Sequence, residues 1–264
     1  MKSIGLDIGT TSITCLVFDI ESNQPVFSKT VPNQYRLENR EPDHYLQDAD
    51  LIVDCIIALL EEAHEAYPDI ASIGVTGQMH GIVYTNKEGL AVSPLFTWQN
   101  NSGHAPVPAN SSDDAEDKLT FLDLLERECG RREATGYGLV TYYVHQQLNL
   151  VPAEATSFCT ISDYVVMRLT GSTKPLLHIT NAASLGMFDL EANTFDFTAL
   201  KRGEFNTELL PSATSSFDVA GYWKEIPVLV AIGDNQAAYY GAVDNKENCL
   251  LFNVGTGSQM ALVI

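Results

Sequence analysis

Residues 4–17, IGLDIGTTSITCLV, align without a gap on residues 250–263, LLFNVGTGSQMALV. Gly9 falls on Gly255, Thr10 on Thr256 and Ser12 on Ser258, while Leu16 and Val17 fall on Leu262 and Val263. Each copy reads as a β-rich run, a Gly-Thr turn and a second β-rich run. A shared GT-x-S at the same turn argues against chance matching of two apolar strands. The repeat therefore predicts one whole domain followed by only the first hairpin of a second.

Between the two copies the pattern is that of an α/β chain. Residues 3–8, 12–19 and 24–31 read as a β-meander. A polar stretch, 32–48, ends in Asp48, an N-cap for a helix over 49–66. Its apolar stripe runs through Leu51, Cys55, Leu59 and Ala63, with Ile52, Ile56 and Leu60 beside it, and Pro68 stops it. Strands are expected at 71–76, 81–85 and 92–97, and a mobile polar surface loop at 100–117. Helices are expected at 118–129, 140–150 and 161–170, then an irregular segment with a short strand over 176–190. A polar stretch to 222 leads to a strand at 226–232, a helix at 234–243 and a strand at 249–254.

Charge and cysteine usage remove several function classes. Thirty-four acidic residues against fifteen Lys and Arg leave a net charge of −19, which repels nucleic-acid phosphates and anionic lipid. A small anionic ligand remains compatible, because backbone N–H groups can hold phosphate locally. The five cysteines (15, 55, 129, 159 and 249) are scattered without a CxxC pair, which predicts reduced thiols and a cytoplasmic protein. Cys15 and Cys55 read as small buried hydrophobes. The N-terminus enters a strand with no signal-peptide pattern before it, and no apolar run is long enough to span a membrane.

Three short segments carry chemistry. In Asp7-Ile8-Gly9-Thr10-Thr11-Ser12 a strand, not a helix, follows the turn, so this is neither a Walker A loop nor a dinucleotide fingerprint. Successive N–H groups with Thr and Ser hydroxyls can still surround phosphoryl oxygens, and Asp7 suits a hydrated Mg²⁺. An ordinary hairpin turn would use the same Asp and Gly. Thr76-Gly77-Gln78-Met79-His80-Gly81 sets an amide, a thioether and an imidazole between glycines, a surface suited to a polyhydroxylated sugar; an incidental His in a connection is the plainer reading. In Gly233-Asp234-Asn235-Gln236, Asp234 stands at a strand end and helix N-cap. There it can either accept a proton from a substrate hydroxyl or simply cap the helix.

In this order the three segments resemble the FGGY carbohydrate kinases, within the actin/Hsp70/hexokinase-like superfamily. DIGTTS is similar to the family's first phosphate motif, NVGTGS (253–258) to its second, and AIGDNQAA (231–238) to the segment with its catalytic Asp. GVTGQMHG (74–81) has the form seen in the ketose-kinase branch. FTWQN (96–100), TGYGLVTYY (135–143), SDYVVMRLTG (162–171) and TNAASLGMFDL (180–190) are more like the sedoheptulokinases than the xylulokinases. The chain departs from the family after Gln99, where Asn100, Asn101 and Ser102 replace an acidic residue and an Arg.

The resemblance implies an actin/hexokinase-like (ribonuclease H-like) α/β domain over 1–244, a mixed five-stranded sheet flanked by helices. The first hairpin of a nucleotide-binding C-terminal domain would follow at 245–264. It also implies ATP and Mg²⁺ as cofactors and in-line phosphorylation of a ketose such as sedoheptulose, with a xylulokinase-type substrate as the alternative. Asp234 would be the general base. Gln78, Met79, His80, Trp98 and Tyr142 would bind sugar, and Gly9, Thr10, Thr11, Ser12, Gly255, Thr256 and Gly257 would meet nucleotide phosphate. Asp7 would hold the metal. A second reading is a sugar-binding fragment that needs a separate C-terminal half, and the unpaired apolar hairpin also predicts self-association as a homodimer. An actin- or Hsp70-type ATPase is the third reading, opposed by Asp234 and the Gln78–His80 surface.

Overall fold

The computed structural model describes residues 1–38, 45–108, 119–243, 249–254 and 258–262. Its centre is a mixed sheet. Alternation of buried and open residues makes strands of β1 (Lys2–Ile8) and β2 (Ser12–Asp19): Ile4, Leu6 and Ile8 share one face with Ile13, Cys15 and Val17, all at most 2% exposed. β3 (Gln24–Pro32) completes the meander, and β4 (Ile70–Gly77) lies parallel to β1 on its other side.

The sheet extends beyond the expected five strands to seven. β5 (Val219–Trp223) and β6 (Ile226–Leu229) form an antiparallel pair at the edge, giving the order β5-β6-β4-β1-β2-β3. The strand expected over 226–232 is broken. After β6 the chain leaves the ladder at Val230, whose N–H donates to Asp218 O, and rejoins β4 as the two-residue β7 (Ile232–Gly233).

Helix α1 (Ala49–Ala66) starts where Asp48 accepts from the Leu51 N–H and ends at Tyr67, before Pro68. Its core face is Ile52, Val53, Ile56, Leu59, Leu60 and Ala63. Leu51, expected in the stripe, is 47% exposed, and Cys55 is only half-buried. The other helices are α2 (Phe121–Cys129), α3 (Gly138–Gln147), α4 (Ile161–Thr170), α5 (Ile179–Ser184), α6 (Phe197–Arg202) and α7 (Asp234–Ala242). α5, α6 and β5 fall in stretches read from sequence as irregular or polar. Part of the expected surface loop is also built in, since Asn100 and Ser102 are buried, while 109–117 lie outside the described residues.

The repeat is visible as a second hairpin, β8 (Leu251–Val254) with β9 (Ser258–Ala261), in a two-stranded sheet of its own. Its register is one residue tighter than the first copy: Ile8 pairs Ile13, whereas Val254 pairs Ser258 and not Gln259. Phe252, Met260 and Leu262 are each more than half exposed.

Candidate active site

Three parallel strands end together. Asp7 pairs Thr76 and Ile8 pairs Gly77, while Ile232 and Gly233 pair the same two residues from the opposite side. The segments that follow β1, β4 and β7 therefore meet at one edge of the sheet. In open α/β sheets the crevice outside the carboxyl ends of the strands is where ligands bind.

Asp234 is the first residue of α7, with Gly233 as the N-cap in place of the expected Asp234. Burial pushes its carboxyl up to about 6. The Asn235 backbone N–H lowers it, and the like charge of Asp7 raises it further. Asp7 is open to solvent on the uncovered sheet face, yet the protein around it also holds its carboxyl above the ordinary value. Two carboxylates near enough to repel are a donor set that fits Mg²⁺, which takes oxygen ligands, needs one or two carboxylates and keeps several waters. Among the described residues no cluster of three or more His, Cys, Asp or Glu is placed to hold a metal ion.

The β1–β2 turn is closed by Gly9 N–H donating to Ser12 O at 2.9 Å, and Asn33 anchors it through Gly9 O. Thr11 is exposed on the turn. Thr10 is not free: its hydroxyl donates to Gln78 Oε1 at 3.3 Å and accepts from Trp98 Nε1 at 2.8 Å. Gln78 Nε2 in turn donates to Gln47 Oε1 at 2.8 Å, and Gln47 Nε2 donates back to Thr10 O at 3.0 Å. This closed ring holds the indole of Trp98, 44% exposed, at the rim as an open flat surface.

His80 has a left-handed backbone, φ 72°, bridged by Gly81 N–H donating to Met79 O, a γ-turn that few non-glycine residues adopt. It is held there from two sides. The His80 N–H donates to Ser184 Oγ, and the ring stacks on Tyr137 at 4.7 Å with planes 4° apart. Nδ1 lies 2.7 Å from Ser184 O, which can only accept, so Nδ1 carries the proton and Nε2 is left as an acceptor. Burial holds the imidazole below its ordinary value, which keeps it neutral.

Two of the expected sugar contacts are buried. Tyr142 is 1% exposed, packed among Tyr84, Phe158 and Phe205, with its hydroxyl donating to Asn206 O at 2.8 Å. It is a core residue of α3. Met79 is 6% exposed and underlies the turn into α7: a Cβ on Gly233 would come within 2.7 Å of its Sδ. Gly255, Thr256 and Gly257 lie outside the described residues.

The model of the FGGY family of carbohydrate kinases, N-terminal domain, matches residues 3–241. The chain belongs to this family. Sedoheptulokinase of Mus musculus is 30% identical over 98% of this chain and 58% of its own length. Xylulose kinase of Lactobacillus acidophilus superposes with a TM-score of 0.79 at 20% identity, over 98% of this chain and 53% of its own. Plasmodium falciparum glycerol kinase, solved with ADP, does so with a TM-score of 0.74 at 18% identity, again over 98% and 53%. The fold is thus that of the FGGY kinases, and the chain spans about half the length of these relatives. Among the described residues no helix is long and apolar enough to cross a membrane.

Within this FGGY domain the structure adds Gln47 and Tyr137 to the residues that shape the site. Gln47 is 4% exposed and carries both sides of the ring through Thr10 and Gln78. Gln47→Met keeps the volume but strands a buried amide and a buried carbonyl. We expect it to lower stability by about 2 kcal/mol, read by chemical denaturation.

Proposed function

We propose that this domain binds a ketose, sedoheptulose or a related sugar, for ATP-dependent phosphorylation, with Asp234 as general base. The observation that carries the reading is Asp234 itself. A carboxyl raised to about 6 at a helix start is ionised at neutral pH yet basic enough to take a proton from an attacking hydroxyl. The likeness to sedoheptulokinase supports a ketose. So do the neutral His80 acceptor and the exposed Trp98 indole, one polar group and one flat apolar face for a sugar, with the buried Gln78 bracing Thr10 behind them.

In this reading the sugar hydroxyl loses its proton to Asp234 while its oxygen attacks the γ-phosphorus in line, and positioning and charge neutralisation supply most of the catalysis. Mg²⁺, when bound, neutralises phosphate charge; Asp7 would hold it through water. Gly9, Thr11 and Ser12 would meet the transferred phosphate, with Thr10 bracing the turn. Residues 1–244 would then be the sugar-binding domain and 245–264 the opening of a nucleotide-binding one. That division is supported by the β8–β9 hairpin forming a sheet of its own. The ADP-bound relative supports a nucleotide as the second ligand, and the free cysteines a cytoplasmic setting.

The test is a coupled ADP-release assay on the 264-residue chain with MgATP and sedoheptulose, xylulose or glycerol, alongside calorimetric titration of each sugar. Ketose-dependent turnover is expected if the chain is sufficient. Sugar binding without turnover would support the alternative, a sugar-binding half that needs a separate C-terminal part. No binding of any sugar would sink both.

A further inference from the structure

The backbone that carries Asp234 is held from outside its own strand. Ile232 O accepts from Thr76 Oγ1 at 2.9 Å within the sheet. The other two holds come from α5. The Gly233 N–H donates to Thr180 Oγ1 at 3.0 Å, and Asn181 Nδ2 reaches Ala231 O at 3.4 Å. One of them acts where the sheet does not: β6 pairs β4 only at Val228 with Ile73 and pairing resumes at Ile232, so Ala231 lies in the gap, while Gly233 also pairs Gly77. α5 therefore holds the backbone both at the break, through Ala231, and at the strand end just before Asp234, through Gly233.

Thr180 is itself oriented. Its backbone N–H donates to His178 Nδ1 at 3.3 Å, so that nitrogen carries no proton, and its hydroxyl lies 3.0 Å from the same atom. The hydroxyl proton thus points to His178, and an Oγ1 lone pair is left for the Gly233 N–H. Asn181 is fixed behind it by Asp163, at 3.2 Å from Oδ1, and Asp163 accepts from Thr160 Oγ1 at 2.6 Å. All of Thr160, Asp163 and Asn181 are at most 2% exposed.

We infer that Thr180, backed by Asn181, is a positioning residue that fixes the Gly233 peptide and through it the Asp234 carboxylate. The inference rests on the kinase reading only for what Asp234 does. An error of about 1 Å in the placing of a catalytic group costs on the order of 100-fold in rate, so one side-chain hydroxyl on the preceding peptide has leverage.

The test compares the full chain with Thr180→Val, which keeps shape but loses the acceptor, and Thr180→Ser, which keeps it. Amide exchange by NMR is expected to be at least tenfold faster at Gly233 in T180V and restored in T180S, with Leu6 and Ile73 unchanged in both. In sugar turnover, kcat should fall at least tenfold in T180V with KM unchanged, and recover in T180S. Unchanged Gly233 exchange, equal acceleration at Leu6 and Ile73, failure of T180S to recover, or unaltered kcat would each overturn the inference. If none of the three chains turns over a sugar while the exchange pattern holds, the positioning role stands and this chain is not sufficient as a kinase.

Discussion

Asp234→Asn is expected to abolish sugar phosphorylation and, at the same time, to make the chain more stable at neutral pH. The loss follows from the general-base role proposed for Asp234: removing general-base catalysis costs roughly 10²–10⁴ in rate. The gain follows from linkage. The carboxyl of Asp234 lies near 3.8 when unperturbed and is raised to about 6 in the fold, first by burial and further by Asp7. The folded chain therefore binds more protons than the unfolded chain between these values. The sign is that of a raised acid: its contribution is fully present below about pH 3.8 and is lost as pH rises through about 6. Above that the ionised group burdens the fold.

An amide carries no such burden. After allowance for solvent around a half-buried group, D234N should gain about 1–2 kcal/mol at pH 8 and little at pH 4. Urea unfolding of both chains at pH 4, 6 and 8 checks this. A difference that stays constant across the range would mean that Asp234 is not the strained group. On the proposed function the same ionisation predicts an acid limb in kcat/KM near pH 6, with activity falling as pH drops below it.

Much of this arrangement was legible in the residues. The meander, α1 with its Asp48 cap and α4 follow from alternation, helical spacing and capping, because each is long enough for its period to show. α4 is bounded by Thr160, which caps it, and by Gly171 in the left-handed conformation that ends it. The repeat also marked both hairpins, although the tighter register of β8 and β9 was hidden in it. A repeat reports strand and turn, whereas register depends on where the pairing closes.

What escaped was short or decided by distant partners. α5 is six residues, ITNAAS, too brief for an apolar stripe, and its business is hydrogen bonding to the strand end at 231–233. The run 226–232 is apolar throughout and reads as one strand. Only Asn181 and Asp218, far off in sequence, show why its middle leaves the ladder. Gln47 stands in a polar stretch with no motif, and its role exists only because Thr10 and Gln78 close on it. Tyr142 went the other way: a tyrosine in a family motif whose hydroxyl the fold spends on Asn206 O.

Gly136→Ala should be the most damaging single substitution outside the carboxylates. Its φ is +83°, and an added Cβ would come 1.9 Å from Trp98 O and 2.9 Å from Trp98 C. Backbone cannot rotate aside as a side chain does, so the two segments must part. On one side Thr135 Oγ1 donates to Asn100 O; on the other Tyr137 stacks on His80. Parting them moves the indole off Thr10 and removes the flat support that keeps His80 in its γ-turn. The left-handed penalty and the overpacking together come to about 3 kcal/mol or more. Gly130→Ala isolates the first term. That glycine has φ +71°, but its added Cβ would meet only Arg202 Nη1 at 3.6 Å, so a cost of about 1 kcal/mol is expected. Denaturation of both variants, with sugar affinity measured alongside, separates strain from collision. G136A should lose both stability and sugar binding, and G130A only a little stability. Equal losses in the two would mean that the crossing at Trp98 gives way easily and does not shape the site.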